Sequence, residues 1–374
     1  MAIKILKQGI NTILVILSIL LAIVTIISAF SGLINPLINA KFALLGMVYP
    51  VLIILVIVSL ISLLIIKRWR IALIPLLTLT VTSNTSAVYF PFNISSTDKV
   101  SSDSTFTLLT YNVMNFVDYQ LKDKEKSKDE NRTAQYIIDV DADIVALQEC
   151  TAAFFKDKSK NIPKKLLAKL KDKYPYREFT KPDIAFLSKY PIKNKTIKLP
   201  TLDNGSGCGG AIIKLPTGDI ELINVHLQSN KLQKEDKALY KEVTSLEGRD
   251  NREEALGQVR TQLIGKLTTA FRSRAEQAEE LRNHIENIDS PNLIVCGDFN
   301  DTPASYVYRT IKGDNMSDAY TQCAFFPTIT YHADRFYFRI DQVFYRGNIQ
   351  ATSIKRGNLK SSDHYPLLTS FQLK

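Results

Sequence analysis

The chain has 374 residues, 45% of them hydrophobic, with four cysteines, four histidines and a formal net charge of +10. Intrinsic disorder and a disulfide scaffold are excluded by that composition, and the length supplies one large domain or two ordinary ones with an ample core. The basic balance is poor evidence for nucleic acid, because residues 1–97 hold Lys4, Lys7, Lys41, Lys67, Arg68 and Arg70 with no acid, which leaves only +4 for the remainder.

In chain order, residues 10–30 and 42–66 form uncharged apolar runs of the roughly 20 residues needed to span a bilayer core. A third run, 71–92, begins apolar and continues through Thr78, Thr80, Thr82, Ser83, Asn84, Thr85 and Ser86, whose hydroxyls can bond back to helix carbonyls. A cleaved leader is the rival reading for the first run. It is opposed by the run's length and by a poor small-x-small site at residues 28–31. The domain reading is therefore a membrane anchor over 1–94 with two to three transmembrane helices, a Ser/Thr/Asp-rich linker over 95–104 and a globular domain over 105–374. Basic flanks at Lys4/Lys7 and Lys67/Arg68/Arg70 predict a multi-pass protein of the inner (cell) membrane, with the globular domain periplasmic or otherwise extracytoplasmic if the third run spans.

From residue 105 the pattern changes to short apolar runs separated by turns. Strands are predicted over 106–111, 144–147, 184–188, 211–214, 220–225, 292–296, 340–344 and 366–370. Their continuous apolar character reads as strands covered on both faces of a layered α/β domain. Helices are predicted over 130–139, 163–173, 252–266 and 268–288. Residues 122–129 form a mixed-charge solvated loop, and GSGCGG at 205–210 reads as a flexible turn before a strand.

Polar residues recur at the ends of these strands: Asn112, Glu149, His226, Asp298 with Asn300, Asp341, and Asp363 with His364. Strand ends in layered α/β folds open onto clefts, so such groups can converge. An oxygen-rich set without cysteine at metal spacing suits Mg²⁺ or Mn²⁺ rather than zinc. Carboxylates, amides and imidazoles beside such an ion describe water-driven phosphoester cleavage. Walker, Gly-x-Ser-x-Gly and Rossmann motifs are absent from the sequence. His284 and His332 read as solvated or packing residues, while Arg274 and Gln277 are either cleft contacts or the polar face of an amphipathic helix. Cys150 and Cys296 read as buried thiols, and Cys208 and Cys323 as loop thiols that can pair only in an oxidising compartment.

TYNVMNF (110–116), LQE (147–149), FLSKYPI (186–192), NVHL (224–227), GDFND (297–301), RIDQVF (339–344) and SDHYP (362–366), in this order, resemble the motif series of the endonuclease/exonuclease/phosphatase superfamily. The resemblance covers about 105–374. RAEQA (274–278) and the apolar N-terminus are most similar to a membrane-anchored bacterial branch with members in Bacteroidetes. It implies a four-layer α/β/β/α sandwich of two mostly antiparallel sheets. It further implies that Glu149 ligates a divalent metal with Asn112 and Asp363 assisting, and that His364, oriented by Asp341, contacts the phosphate or moves a proton. Asp298 would orient or deprotonate the attacking water and Asn300 would hold a phosphate oxygen. His226 matches the second histidine of the deoxyribonuclease I and phosphatase branches and tilts away from abasic-site repair, while its acidic partner has no clear counterpart beyond Asp183. RIDQ departs from the more usual RIDY or RIDH. The expected substrate is a phosphoester in nucleic acid, a phospholipid headgroup or a sugar phosphate, with the bilayer as the other partner and no protein partner inferable. The competing reading is a non-catalytic phosphate-ligand binder or scaffold on a degenerate hydrolase fold.

Overall fold

A computed structural model of the protein describes residues 2–93, 105–120, 130–156, 159–180, 182–195, 197, 199, 206–230, 252–333 and 336–373, without the side chains of 2–7 and 252–260. The predicted linker 95–104 and the charged loop 122–129 lie outside the described residues.

The N-terminal part is helical: α1 (Ala2–Phe30), the one-turn α2 (Pro36–Asn39), α3 (Lys41–Ile65), α4 (Trp69–Val81) and α5 (Ser83–Tyr89). Two stretches, Gln8–Leu33 and Lys41–Ile65, are long and apolar enough to cross a membrane, and α4 with α5 makes a third if the pair, bent by 66°, is one broken span. Thr78, Thr80 and Thr82 each donate to the carbonyl four residues back, as expected for hydroxyls in apolar surroundings. At the bend the Thr82 carbonyl accepts from the Ser86 amide and also from the Tyr49 hydroxyl of α3, so a neighbouring helix adds a polar contact at the break.

The remainder forms two six-stranded sheets. The first has the order β11-β12-β1-β2-β4-β3, built from β1 (Thr105–Asn112), β2 (Ile144–Gln148), β3 (Tyr176–Thr180), β4 (Ile184–Ser188), β11 (Ile349–Arg356) and β12 (Leu367–Leu373). The second has the order β5-β6-β7-β8-β10-β9, built from β5 (Ile192–Lys195), β6 (Gly207–Leu215), β7 (Gly218–His226), β8 (Asn292–Asp298), β9 (Ser317–Asp318) and β10 (Asp341–Gly347). In each sheet one parallel pair, β1/β2 or β7/β8, is flanked by antiparallel neighbours. Parallel neighbours need a crossover, supplied by α6 (Arg132–Val140) in the first sheet and by α9 (Arg252–Glu286) in the second.

Alternating side chains of the central strands are buried in two directions. Leu108, Ala146 and Phe186 face Ile213, Leu222, Ile294 and Val343 between the sheets. Their neighbours Leu109, Val145 and Leu187 pack outward on Ala134 and Ile137 of α6 and on Leu167 and Leu170 of α8 (Lys164–Lys173), which follows the one-turn α7 (Ala152–Phe155). On the other side Ile223, Val225 and Val295 pack on Ala278, Leu281 and Ile285 of α9 and on Val307 and Ile311 of α10 (Tyr306–Lys312). These layers are the expected four-layer sandwich, and burial on both faces fixes register, since a one-residue slip would exchange the two cores.

Two local expectations are corrected. Residues 207–210 belong to β6, and Cys208 is a buried core residue there; a Cβ on Gly209 would crowd Ile184, Phe186 and Thr180, so glycine permits the close approach of β6 to β4. The helices predicted over 252–266 and 268–288 are one continuous α9, because Gly265 sits in open space and Thr268 donates back to Ile264, so nothing breaks the ladder at residue 267.

That long helix joins the two parts of the molecule. Leu263, Leu267 and Phe271 pack on Ala40, Ala43, Leu44 and Met47 of the helical hairpin. Asn35 donates to Glu279 and Tyr306, and Gly32 lies so close to the Ala304 carbonyl that a Cβ would have no room. Further on, Arg339 donates to the Val88 carbonyl. The hairpin tip and the end of α5 thus dock on the same side of the sandwich.

Candidate active site

The parallel pairs explain why the polar residues meet. Asn112 pairs with Gln148 on the last rung of β1/β2, and Glu149 follows. On the second sheet His226 pairs with Asp298, which pairs with Asp341, so three adjacent strands present one rung of functional groups. Gly297 precedes Asp298 at φ +133°, where a Cβ would collide with the Val225 carbonyl, and only glycine carries the chain through that position. Buried Gln148 donates to Thr110 and to Asn224 of the facing sheet, while Asn224 donates to the Leu147 carbonyl at 3.0 Å, so polar contacts hold the rims together.

Two imidazole–carboxylate pairs flank Asp298. His364 Nδ1 lies 2.9 Å from Asp341 Oδ2 with its Nε2 3.4 Å from Asp298 Oδ2. His226 Nδ1 lies 2.6 Å from Asp183 Oδ2 with its Nε2 3.8 Å from the same Asp298 oxygen and 4.0 Å from Glu149 Oε1. Burial opposes charging of both rings, but the surrounding carboxylates outweigh it. His226 is raised to about 9 chiefly by Asp183, and His364 is raised well above the ordinary histidine value chiefly by Asp341. Asp298, almost fully buried, is raised to about 6 by loss of solvent, with His364 pulling it down, Asp341 pushing it up and His226 and the Asn300 amide stabilising the anion.

Asn112 Nδ2 donates at 3.1 Å to both Glu149 and Asp298 and so bridges the two rims. Glu149 is held at φ +50°, a left-handed backbone that costs a residue with a Cβ about 1 kcal/mol. Its carbonyl accepts from Asn115 N, and the next amide, Cys150 N, donates to the Asp183 carbonyl. Asn300, also left-handed, donates its side-chain amide to the Leu227 carbonyl. Ser362 donates to the Asn112 carbonyl, and its hydroxyl oxygen lies 3.2 Å from the Asp363 carboxylate.

A cavity of about 200 Å³ lies over these groups, lined by Glu149, His226, Asp298, Asn300, Asp363 and His364. Asn112 and Asp341 sit beneath it. The Glu149 carboxylate is one-third exposed, whereas Asp298, Asp341 and His364, whose ligand atoms fall within 4.8 Å of one another, are buried and already hold each other. Glu149 and Asp363 both line the cavity and offer carboxylate oxygens of the kind a hard divalent cation takes.

The family model for the "Endonuclease/Exonuclease/phosphatase family" matches residues 109–364. The chain belongs to that family. Endonuclease/exonuclease/phosphatase proteins are hydrolases acting on phosphoester bonds. A second model, a domain of unknown function (DUF8431), matches residues 11–89. No curated protein sequence matches. Similar solved structures include an endonuclease/exonuclease/phosphatase from Beutenbergia cavernae, 17% identical over 72% of each chain with a TM-score of 0.48. The human Nocturnin catalytic domain with bound sulfate is 18% identical over 72% of this chain and 94% of that one, with a TM-score of 0.46. D. rerio TDP2 complexed with a single-strand DNA product is 17% identical over 72% of this chain and all of that one, with a TM-score of 0.45.

Beyond the motif series of the endonuclease/exonuclease/phosphatase family, the structure brings further residues to the cavity. Asp183, the candidate acidic partner of His226, is that partner and holds it from behind the cavity lining. Arg274 lines the cavity, fully buried, donating to the Gln228 carbonyl and Asn230 with its Nε 3.5 Å from Asp301. Gln277 does not reach the cavity and accepts from the Gln228 amide behind it. His332 packs on Tyr365, and His284 lies on α9 away from the cavity. Cys150, Cys208, Cys296 and Cys323 are all free thiols.

Proposed function

We propose that the protein is a membrane-anchored phosphoesterase that requires Mg²⁺ or Mn²⁺ and works on the extracytoplasmic side of the membrane. The observation that carries this reading is the convergence of Glu149, Asp298, Asn300 and two imidazole–carboxylate pairs on one cavity. Glu149 would hold the ion, with Asp363 and Asn112 assisting, and the ion would offset negative charge developing on phosphorus. Asp298, between the two imidazoles, orients the attacking water and accepts its proton. His364, kept cationic by Asp341, donates to a phosphate oxygen or to the leaving oxygen, and Asp183 fixes His226 so that its Nε2 faces the same phosphate. Asn300 donates to a phosphate oxygen.

The orientation rests on the fold and the charges together. The hairpin tip at 31–41 and the end of α5 dock on the catalytic sandwich, while Lys67, Arg68 and Arg70 lie at the opposite end of α3. Basic ends stay cytoplasmic, so the sandwich belongs on the other side. The test is the full chain in nanodiscs with a chromogenic phosphodiester, a phosphomonoester and plasmid DNA, with Mg²⁺ and with chelator. Metal-dependent product release that His364→Ala abolishes and Glu149→Gln shifts to higher metal concentration is expected; binding of phosphate ligands without turnover would replace this reading by a non-catalytic one.

A further inference from the structure

The cavity has a wall that no hydrolytic role accounts for. Met47, a residue of the membrane-spanning helix α3, lines it together with Glu149, His226, Asp298 and His364. This contact is built rather than incidental. Leu263, Leu267 and Phe271 of α9 pack on Ala40, Ala43, Leu44 and Met47, and Asn35 is hydrogen bonded to Glu279 and Tyr306 beside them. On the sandwich side the lining includes Phe336, Phe338 and Ile340, so an apolar margin adjoins the catalytic groups.

Helix geometry places this margin in the bilayer. The 25 residues of α3 reach about 37 Å, some 7 Å more than a hydrocarbon core of about 30 Å. The turns up to Met47 are covered by α9, and the 18 residues that follow, 48–65, reach about 27 Å, nearly the whole core, so Met47 falls at the boundary between headgroups and acyl chains. The next outward-facing residues of the helix, Val48, Val51 and Leu55, are exposed and would meet lipid. Phosphates of membrane lipids lie in the headgroup layer just outside that boundary. Within the cavity Arg274 adds a fully buried guanidinium whose Nε is ion-paired to Asp301 and whose Nη2 has no hydrogen-bond partner, an arrangement suited to an anionic or polar headgroup.

Accepting the phosphoesterase reading, we infer that the substrate is an amphiphilic lipid phosphoester, cleaved while its acyl chains remain in the bilayer against α3. Water adds to phosphorus, the bond from phosphorus to the leaving oxygen breaks, and the proton passes to that oxygen. The apolar part of the lipid lies along Met47 and the aromatic margin, and Arg274 contacts the headgroup.

The test compares the full chain, reconstituted in vesicles of phosphatidylethanolamine, phosphatidylglycerol and phosphatidylinositol, on those lipids, on their deacylated glycerophosphodiesters and on plasmid DNA. Phosphorus NMR reads every product. At least one lipid should be cleaved with kcat/KM about tenfold or more above its deacylated counterpart. Met47→Gln should lower that ratio about fivefold or more and Met47→Leu should restore it. Arg274→Gln should raise KM for the lipid more than it lowers kcat. Equal rates on lipid and deacylated headgroup, or cleavage of DNA alone, would overturn the lipid assignment and leave the phosphoesterase standing. No metal-dependent cleavage of any of the three would remove both.

Discussion

Two carboxylate groups in the same cavity behave differently. Glu149 and Asp363 come from the first sheet and its loops and meet solvent in the cavity, whereas Asp298 and Asp341, on one rung of the second sheet, are buried against imidazoles. The open pair can exchange water for a cation at little cost. The buried pair is locked in a network in which each proton and charge is fixed by a neighbour, and one buried partner left alone would be strongly disfavoured. Ladder register separates the two: the second rung is paired on both sides, while Glu149 lies past the end of its strand on a left-handed backbone.

Mutations can break that division. The largest effect is expected in the buried group, where Asp298→Asn or His364→Ala should lower kcat about 10²–10⁴-fold with circular dichroism unchanged. In the open group Glu149→Gln should act first through the cation, raising the metal concentration for half-maximal activity by about 10–100-fold, read by metal titration of initial rates. Equal metal titrations for Glu149→Gln and wild type would erase the distinction. Asp183→Asn should cost about tenfold in activity, because His226 loses the partner that orients it.

The smallest effect is in stability against pH. The folded value of His226, about 9, exceeds the ordinary 6.5, so its contribution is complete below about pH 6.5 and is lost as pH rises through 9. The upper bound is about 3 kcal/mol. Thermal unfolding of chelator-treated protein should therefore fall over that interval in the wild type and flatten in Asp183→Asn.

The pattern of what the sequence revealed is physical. All eight predicted strands are present, and all eight are interior to their sheets, where burial on both faces writes a continuous apolar run. Those not anticipated, YREFT, IKNK, the two-residue β9 and IQATSIKR, are the four sheet edges. Edge strands are short, charged or bulged to discourage pairing with other chains, which also erases the alternating signal. The bulge between Ala351 and Ser353 is an instance. The strand-end polar residues were legible because motif and apolar run adjoin in sequence. Met47 was not, since a methionine in an apolar helix carries no mark of the cavity it lines, whereas Asp183 could be named from the sequence as a candidate partner of His226 and gained its place once the two sheets faced each other.

The continuous α9 has a practical consequence for handling the molecule. A version cut after the N-terminal helices would lay bare a strip of Leu263, Leu267 and Phe271 in the half of the helix that precedes its contact with the sandwich at Ala278, Leu281 and Ile285. Such a strip would promote clumping in dilute buffer and would remove Met47 from the mouth of the cavity. A truncated preparation could then remain folded and hydrolyse small model compounds, yet report a selectivity that belongs to the scissors rather than to the protein.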